Sequence, residues 1–301
     1  MRKVIPFLKA GRFTLFLSSV AIIAMFTLTF VLHGGFNLGI DFRAGMTTTI
    51  AIPASPSTEE VRETLAAINA NVQRGEGNNY LIRVTTDNSA SFRTDTENYI
   101  NSALTSRFGN IEVLFSEFID ASFSLSLIIG TIAVIIVALA LTTGYLFFRF
   151  KLNYALSALF STLHDILFMV GFIGVMGFEV NTTAIAAILT IMAYSLNDTI
   201  VIFDRIREVT GLNKKGDGYT HLINTAITNT LDRTITTSTS TILALVPLII
   251  FTMGNIYYFA IAVVFGIIIG SYSSVFIASS ILNELHQKNA LKAANLIKAK
   301  K

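Results

Sequence analysis

The sequence predicts a membrane all-α bundle of six transmembrane helices carrying one small extracytoplasmic α+β domain of ferredoxin-like type. Three observations predict it. The chain is 52% hydrophobic and only 14% charged, with a mean hydropathy of +0.64. Its apolar residues gather in six long runs, near Phe13–Leu32, Ser124–Phe148, Tyr154–Met176, Thr182–Phe203, Thr234–Met253 and Tyr257–Leu282. About 20 residues of helix cross a hydrocarbon core of roughly 30 Å. Between the first and second runs lies a polar segment with mixed strand and helix signals.

Basic residues orient the bundle. Arg2, Lys3, Lys9 and Arg12 precede the first span, and Arg149 and Lys151 join the second to the third. Arg205, Arg207, Lys214, Lys215 and Arg233 lie between the fourth and fifth. Lys288, Lys292, Lys298, Lys300 and Lys301 follow the sixth. The short loops Gly177–Asn181 and Met253–Ile256 contain neither Lys nor Arg. The positive-inside rule then predicts cytoplasmic termini in a multi-pass bacterial plasma membrane protein. Residues 1–33 hold the cytoplasmic N-terminus and first span, and residues 34–123 the outer domain. Residues 124–283 hold five spans with a cytoplasmic loop at about 205–233, and residues 284–301 a basic cytoplasmic tail. The net charge of +3 reflects this sidedness and does not indicate a nucleic-acid partner. The first run is long for a signal peptide and lacks a small-x-small cleavage site, so it reads as an uncleaved anchor.

The outer segment reads as β-α-β-α-β. Met46–Pro53 is rich in Thr and Ile, as strands are. Ser57 suits an N-cap, with Glu60 at the capping-box position, and Val61, Leu65 and Ile68 form an apolar stripe. Arg74–Asn78 is a Gly-rich turn before a second strand, Asn79–Thr85. Phe92–Phe108 is a second helix with Tyr99, Ile100 and Leu104 on one face, and Ile111–Phe118 a third strand. Between Gly34 and Phe123 there is no His, so binding or positioning is expected there rather than catalysis.

In the cytoplasmic loop, Tyr219–Leu231 is amphipathic and fits either a helix on the membrane surface or one packed on the cytoplasmic ends of the bundle. The fifth span must include Thr234–Thr241, because Ile242–Met253 alone is too short to cross. Its hydroxyls can bond their own helix carbonyls. Gly266, Gly270, Ser274 and Ala278 repeat every four residues along the sixth span, a seam for close helix approach.

The chemistry-bearing residues are two acids within apolar runs, Asp165 and Asp198. An ionised carboxylate in hydrocarbon is expensive, so such an acid faces the protein interior and has a task or a structural hydrogen bond. Proton-coupled work is the task expected. Tyr194, Ser195 and Arg205 share the face of Asp198 at helical spacing. His164 precedes Asp165, and the two are candidates for a proton relay or for interhelical bonding. Arg233, at the inner end of the fifth span, either snorkels to headgroups or faces Asp198 and tunes its protonation. The sequence has no Cys, no H-E-x-x-H, no nucleophile elbow and no P-loop. A non-enzyme without metal or cofactor is therefore expected, driven by a gradient or by a partner.

Several motifs resemble a known family. Gly39-Ile40-Asp41-Phe42-Arg43-Ala44-Gly45 resembles the G-I-D-F-x-G-G signature of the SecD/SecF protein-export family. Tyr194–Glu208, which contains Asn197, Asp198, Thr199, Asp204, Arg205 and Arg207, resembles its fourth-span motif. Leu231-Asp232-Arg233-Thr234 with Thr237-Ser238 is similar to its L-S-R-T-x-x-T-S stretch, and Gly270–Ser280 to its serine-rich last span. The His164-Asp165 pair fits as well. Ala44 and Asp232 depart from the usual Gly and Ser, and Phe251-Thr252-Met253-Gly254 lacks the family's F-G-G turn. One outer domain of this size matches the smaller family member.

The resemblance implies a resistance-nodulation-division fold whose six spans pair with six in a SecD homologue. It implies work beside the SecYEG channel with YajC and the SecA ATPase, drawing preproteins outward at the expense of the proton-motive force. Asp198 would carry the proton, with Arg233 its partner and Asp165 and His164 nearby. Half of a proton-driven small-molecule exporter is the alternative, and the small outer domain argues against it.

Overall fold

The structure, a computed structural model, describes residues 4–75, 77–86, 91–213 and 216–299. Arg2, Lys3, Lys214, Lys215, Lys300 and Lys301, used above for orientation, lie outside them.

Among the described residues, six helices are long and apolar enough to cross a membrane. They are α1 (Gly11–His33), α4 (Ala121–Arg149), α5 (Leu152–Val175), α6 (Thr182–Gly211), α7 (Tyr219–Phe251) and α8 (Gly254–Tyr272). The last runs through a π-helical turn at Ser273–Ala278 into α9 (Ser279–Ala299). Helices α5, α6 and α8 form the buried centre, whereas α4 has no buried residue in its apolar window. Leu125, Ile129, Ile132 and Ile136 of α4 are exposed, as lipid-facing residues are. One apolar cluster, with Met169, Ile173, Ile188, Ile191 and Ile267, fills the half of the bundle nearer the outer domain. A second, with Phe150, Tyr154, Phe203, Ile206, Ile223 and Leu282, fills the opposite end.

The small-residue seam is internal. A Cβ on Gly266 would meet Ile191 and Met169, and one on Gly270 would meet Ser195 at 2.9 Å. Ser274 and Ala278 are fully buried. Backbone-close packing of α8 on α6 is what the seam serves, as small-xxx-small spacing permits.

The fifth span and the amphipathic stretch before it are one helix of 33 residues, α7. Leu222 is buried, and Ile223, Ala226 and Ile227 are buried in one cluster with residues of α5, α6 and α9. The packed alternative therefore holds, and the surface-lying one does not. The expected loop at 205–233 shrinks accordingly, since α6 extends to Gly211 and α7 starts at Tyr219.

The outer unit runs β1 (Gly45–Ala51), α2 (Thr58–Thr64), β2 (Asn71–Arg74), β3 (Asn79–Thr85), α3 (Phe92–Phe108) and β4 (Glu112–Ile119). Among the described residues its four strands pair antiparallel in the order β2-β3-β1-β4. Thr48 stands opposite Ile82, and a bulge at Thr49/Ile50 shifts the β4 register. Strand β2 is an addition to the three expected. It is four residues long, polar and at the sheet edge, so it carries no alternation. The capping box forms: the Ser57 hydroxyl accepts from the Glu60 N–H, and Glu60 accepts from the Ser57 N–H at 2.7 Å. Val61, Leu65, Ile100 and Leu104 cover Met46, Ile50, Tyr80 and Ile82 of the sheet. The Tyr80 hydroxyl donates to the Pro56 carbonyl, which satisfies the polar tip of a buried ring.

Candidate functional site

Asp165 lies in mid-α5 and is 1% exposed. Three side chains satisfy its carboxylate. His164 Nδ1 bonds Oδ1 at 2.9 Å. Ser195 of α6 donates to Oδ2 at 2.5 Å, and Ser273 at the π turn donates to the same oxygen at 2.8 Å. With Nδ1 on the carboxylate, His164 Nε2 is left to accept the Ser18 hydroxyl of α1. The cluster thus joins α1, α5, α6 and the end of α8. Ser273 and Ser274 open the π turn and are fully buried, at a local change of helical register of the kind that π turns introduce. Ser274 donates to the Ser195 carbonyl at 3.2 Å, and its Oγ lies 2.8 Å from that of Thr199.

Asp198 lies one turn beyond Ser195 on α6 and is 4% exposed. Its setting is different. Oδ2 is enclosed and has no hydrogen-bond partner among the described residues. Arg233 of α7 is near enough to act on it electrostatically. Among the described residues no ion pair joins them, and Arg233 is exposed. Ser195, expected on the Asp198 face, serves Asp165 instead. Tyr194 turns to α7, its hydroxyl 3.4 Å from that of Thr241. Asp165 and His164 thus share a closed hydrogen-bond network, whereas Asp198 and Arg233 share no hydrogen bond or ion pair among the described residues.

The remaining motif residues divide between the two ends. Asn197 is exposed. At the end of the bundle remote from the sheet, Asp204 pairs with Arg149 at 3.2 Å and Arg205 with Glu208 at 2.7 Å. Arg207 donates to the Arg149 carbonyl at 3.3 Å. At the sheet end, Asp41 caps α6 by accepting from the Thr182 N–H at 2.8 Å and from the Thr182 hydroxyl. Gly39 donates its N–H to the Val180 carbonyl at 2.8 Å and is packed so closely that a Cβ would meet Asn181 at 3.0 Å. Gly45 leaves no room for a Cβ beside the Val84 carbonyl, and Arg43 is exposed.

Two residues that the sequence did not single out complete this joint. Arg83 of β3 pairs with Glu179 of the α5–α6 loop at 2.5 Å, with side chains 15% and 8% exposed. Burial pushes Glu179 above the ordinary glutamate range, Arg83 pulls it down, and the neighbouring Asp41 carboxylate pushes it up. The outer sheet is thereby tied to the mouth of the buried bundle centre.

Comparison with known proteins identifies the architecture. Residues 99–288 match the family described as protein export membrane protein SecD/SecF, C-terminal. The chain is 39% identical to the protein translocase subunit SecF of Borreliella burgdorferi, over 96% of this chain and 99% of that one. It is 36% identical to the subunit SecDF of Brucella abortus, matching 92% of this chain and 37% of that longer one. A crystal structure of SecDF from Thermus thermophilus, called a translocon-associated membrane protein, superposes with a TM-score of 0.81 at 27% identity. That match covers 95% of this chain and 39% of the solved one. The chain belongs to the SecD/SecF family of protein-export membrane proteins, as a translocase subunit of the SecF kind.

Proposed function

We propose that this chain uses the proton-motive force to help draw preproteins outward through the SecYEG channel after the SecA ATPase has pushed them in. Its partners are a SecD homologue and YajC. The single observation that carries the reading is the state of Asp198: an enclosed carboxylate oxygen with no partner, and a guanidinium near it but not on it. A carboxyl group so placed gains or loses a proton as its distance from Arg233 changes. One charge crossing 100 mV supplies about 2.3 kcal/mol, enough to bias such a change. The outer unit transmits it, because Gly39, Asp41 and Arg83 bind it to the α5–α6 loop and the start of α6.

A SecD homologue as partner is supported by the relatives that carry both parts in one chain. The β-α-β-β-α-β order with strands β2-β3-β1-β4 supports a ferredoxin-like outer domain. The Lys/Arg asymmetry supports cytoplasmic termini in a bacterial inner membrane. The chain acts without enzymatic turnover, metal or cofactor of its own. Protein export is favoured over small-molecule export by the names of its relatives.

The test is reconstitution. Vesicles containing SecYEG, SecA and the SecD homologue are loaded with a preprotein, with and without this chain. Addition should give preprotein release that a protonophore abolishes. Release that is equal in both preparations, or insensitive to the protonophore, overturns the reading.

A further inference from the structure

At the end of the bundle remote from the sheet, a cavity of about 420 Å³ opens where α4 turns into α5 beside α6, α7 and α9. We propose that it binds the phosphate group of an anionic phospholipid. The inference rests on the six-span reading but not on proton coupling or export.

Its lining is built for an anion. Arg149, Lys151, Arg207 and His286 stand around it, and no carboxylate lines it among the described residues. The two guanidiniums flank the Phe150 ring, at 5.3 and 5.6 Å from its centroid. That ring and the bond from Arg207 to the Arg149 carbonyl hold both forks in place before any ligand arrives. Asp204 engages one side of Arg149, whereas Lys151 and Arg207 make no ion pair among the described residues.

The hydroxyls of Tyr154 and Tyr219 lie 3.4 Å apart at the cavity, offering donors to a phosphate oxygen. His286 stacks on Tyr219 with centroids 3.7 Å apart, which fixes the imidazole at the rim. The volume suits a headgroup. The position suits it too, since these residues end the apolar spans, and basic pockets between helices at that level take lipid phosphates. The exposed apolar side of α4, including Phe147 and Phe148, adjoins the cavity and offers acyl chains a surface.

The experiment uses the full chain in nanodiscs of phosphatidylcholine with increasing phosphatidylglycerol. Lipid retained on the protein is read by native mass spectrometry after release into a neutral detergent. The wild type should retain phosphatidylglycerol over phosphatidylcholine. Lys151→Gln with Arg207→Gln should lower that preference on the order of twentyfold, from about fivefold per basic residue. Lys288→Gln with Lys292→Gln removes the same charge from α9 outside the cavity and should leave the preference within about twofold of wild type. Inorganic phosphate is added in a second arm. Retention unaffected by millimolar phosphate identifies the lipid as the source, whereas displacement by phosphate shows that a free phosphate suffices and overturns the lipid assignment. Equal loss in both double variants, or no preference in the wild type, overturns the proposal. A folded state in each variant is confirmed by its thermal unfolding transition.

Discussion

Asp165 and Asp198 are both enclosed acids near the same helix interface, yet donors surround one and leave an oxygen of the other bare. Asp165 receives His164, Ser195 and Ser273, drawn from three separate parts of the chain. Its negative end is matched atom by atom, so changing its charge disturbs several helices at once. Asp198 has an unmatched Oδ2 and a cation held at a distance. Burial without a partner is costly unless something is gained. The gain inferred here is a group whose charge can change without dismantling the bundle. One acid is therefore placed to hold helices and the other to switch.

The largest expected effect separates them by function. Asp198→Asn keeps size and hydrogen bonding but cannot titrate. Protonophore-sensitive preprotein release should fall about a hundredfold, the scale of losing a positioned proton-transfer group. The unfolding midpoint in detergent should stay within a few degrees of wild type. Full gradient-dependent release by this variant would remove the distinction between the two acids.

Next in size is the converse substitution. Asp165→Ala leaves His164 Nδ1 and Ser195 without their acceptor, Ser273 keeping the Gly270 carbonyl, and should destabilise the bundle by about 3–5 kcal/mol, as breaking buried charged networks does. Asp198→Ala should cost under about 1 kcal/mol, since no hydrogen bond to Oδ2 is lost. Equilibrium unfolding in a mixed-micelle denaturant series compares them. Equal losses would mean that Asp198 is as structural as its neighbour.

Much of this contrast was hidden in the sequence, for a physical reason. Both acids stand out from their apolar runs, and the capping box and the strand at Asn79–Thr85 follow from local residue order. Partnership across helices depends on helix rotation, which spacing does not supply. Ser195 shares a face with Asp198 by period, but the pitch of α6 against α5 turns it to Asp165. Ser273 reaches the same oxygen because a π turn shifts the register of the last span, and no residue pattern announces that turn. Arg83 and Glu179 were missed because 96 residues of sequence separate two ordinary charges. Strand β2 escaped notice through its short polar composition.

A smaller effect is expected at the joint, where the comparison extends to a third enclosed acid. Glu179 is less fully enclosed than Asp165, with its side chain 8% exposed, and it depends on one cation, Arg83. Arg83→Met leaves it unpaired beside Asp41 and should destabilise the outer unit by about 2 kcal/mol at neutral pH, part of the cost of an uncompensated buried charge. The pH dependence has a definite sign. The folded pKa of Glu179 is raised, so its contribution to stability is fully present below the unfolded glutamate value and is lost as pH rises through the folded one. Arg83→Met removes the charge that pulls this pKa down, so the window widens upward. Proteolysis of the outer unit as a function of pH reads it. A variant whose resistance does not improve on acidification would show that the pair contributes little.

The smallest effect concerns the outermost link of the closed network. Ser18 of α1 reaches Asp165 only through His164. Ser18→Ala removes one hydroxyl and leaves the imidazole bonded to the carboxylate. A hydrogen bond between membrane helices is worth about 0.6 kcal/mol on average. The loss should be of that order, with gradient-dependent release unchanged. The double variant Ser18→Ala with Ser273→Ala decides whether the links act together. If they are independent, their costs add to within about 0.5 kcal/mol. If the network polarises along its length, each loss weakens the bonds that remain, and the second substitution costs less than it does alone. Additive losses with intact coupling would confine Asp165 to holding helices. A variant that keeps its stability but loses its protonophore-sensitive release would instead bring His164 and Asp165 into the path of the proton, and the division between the two acids would have to be redrawn.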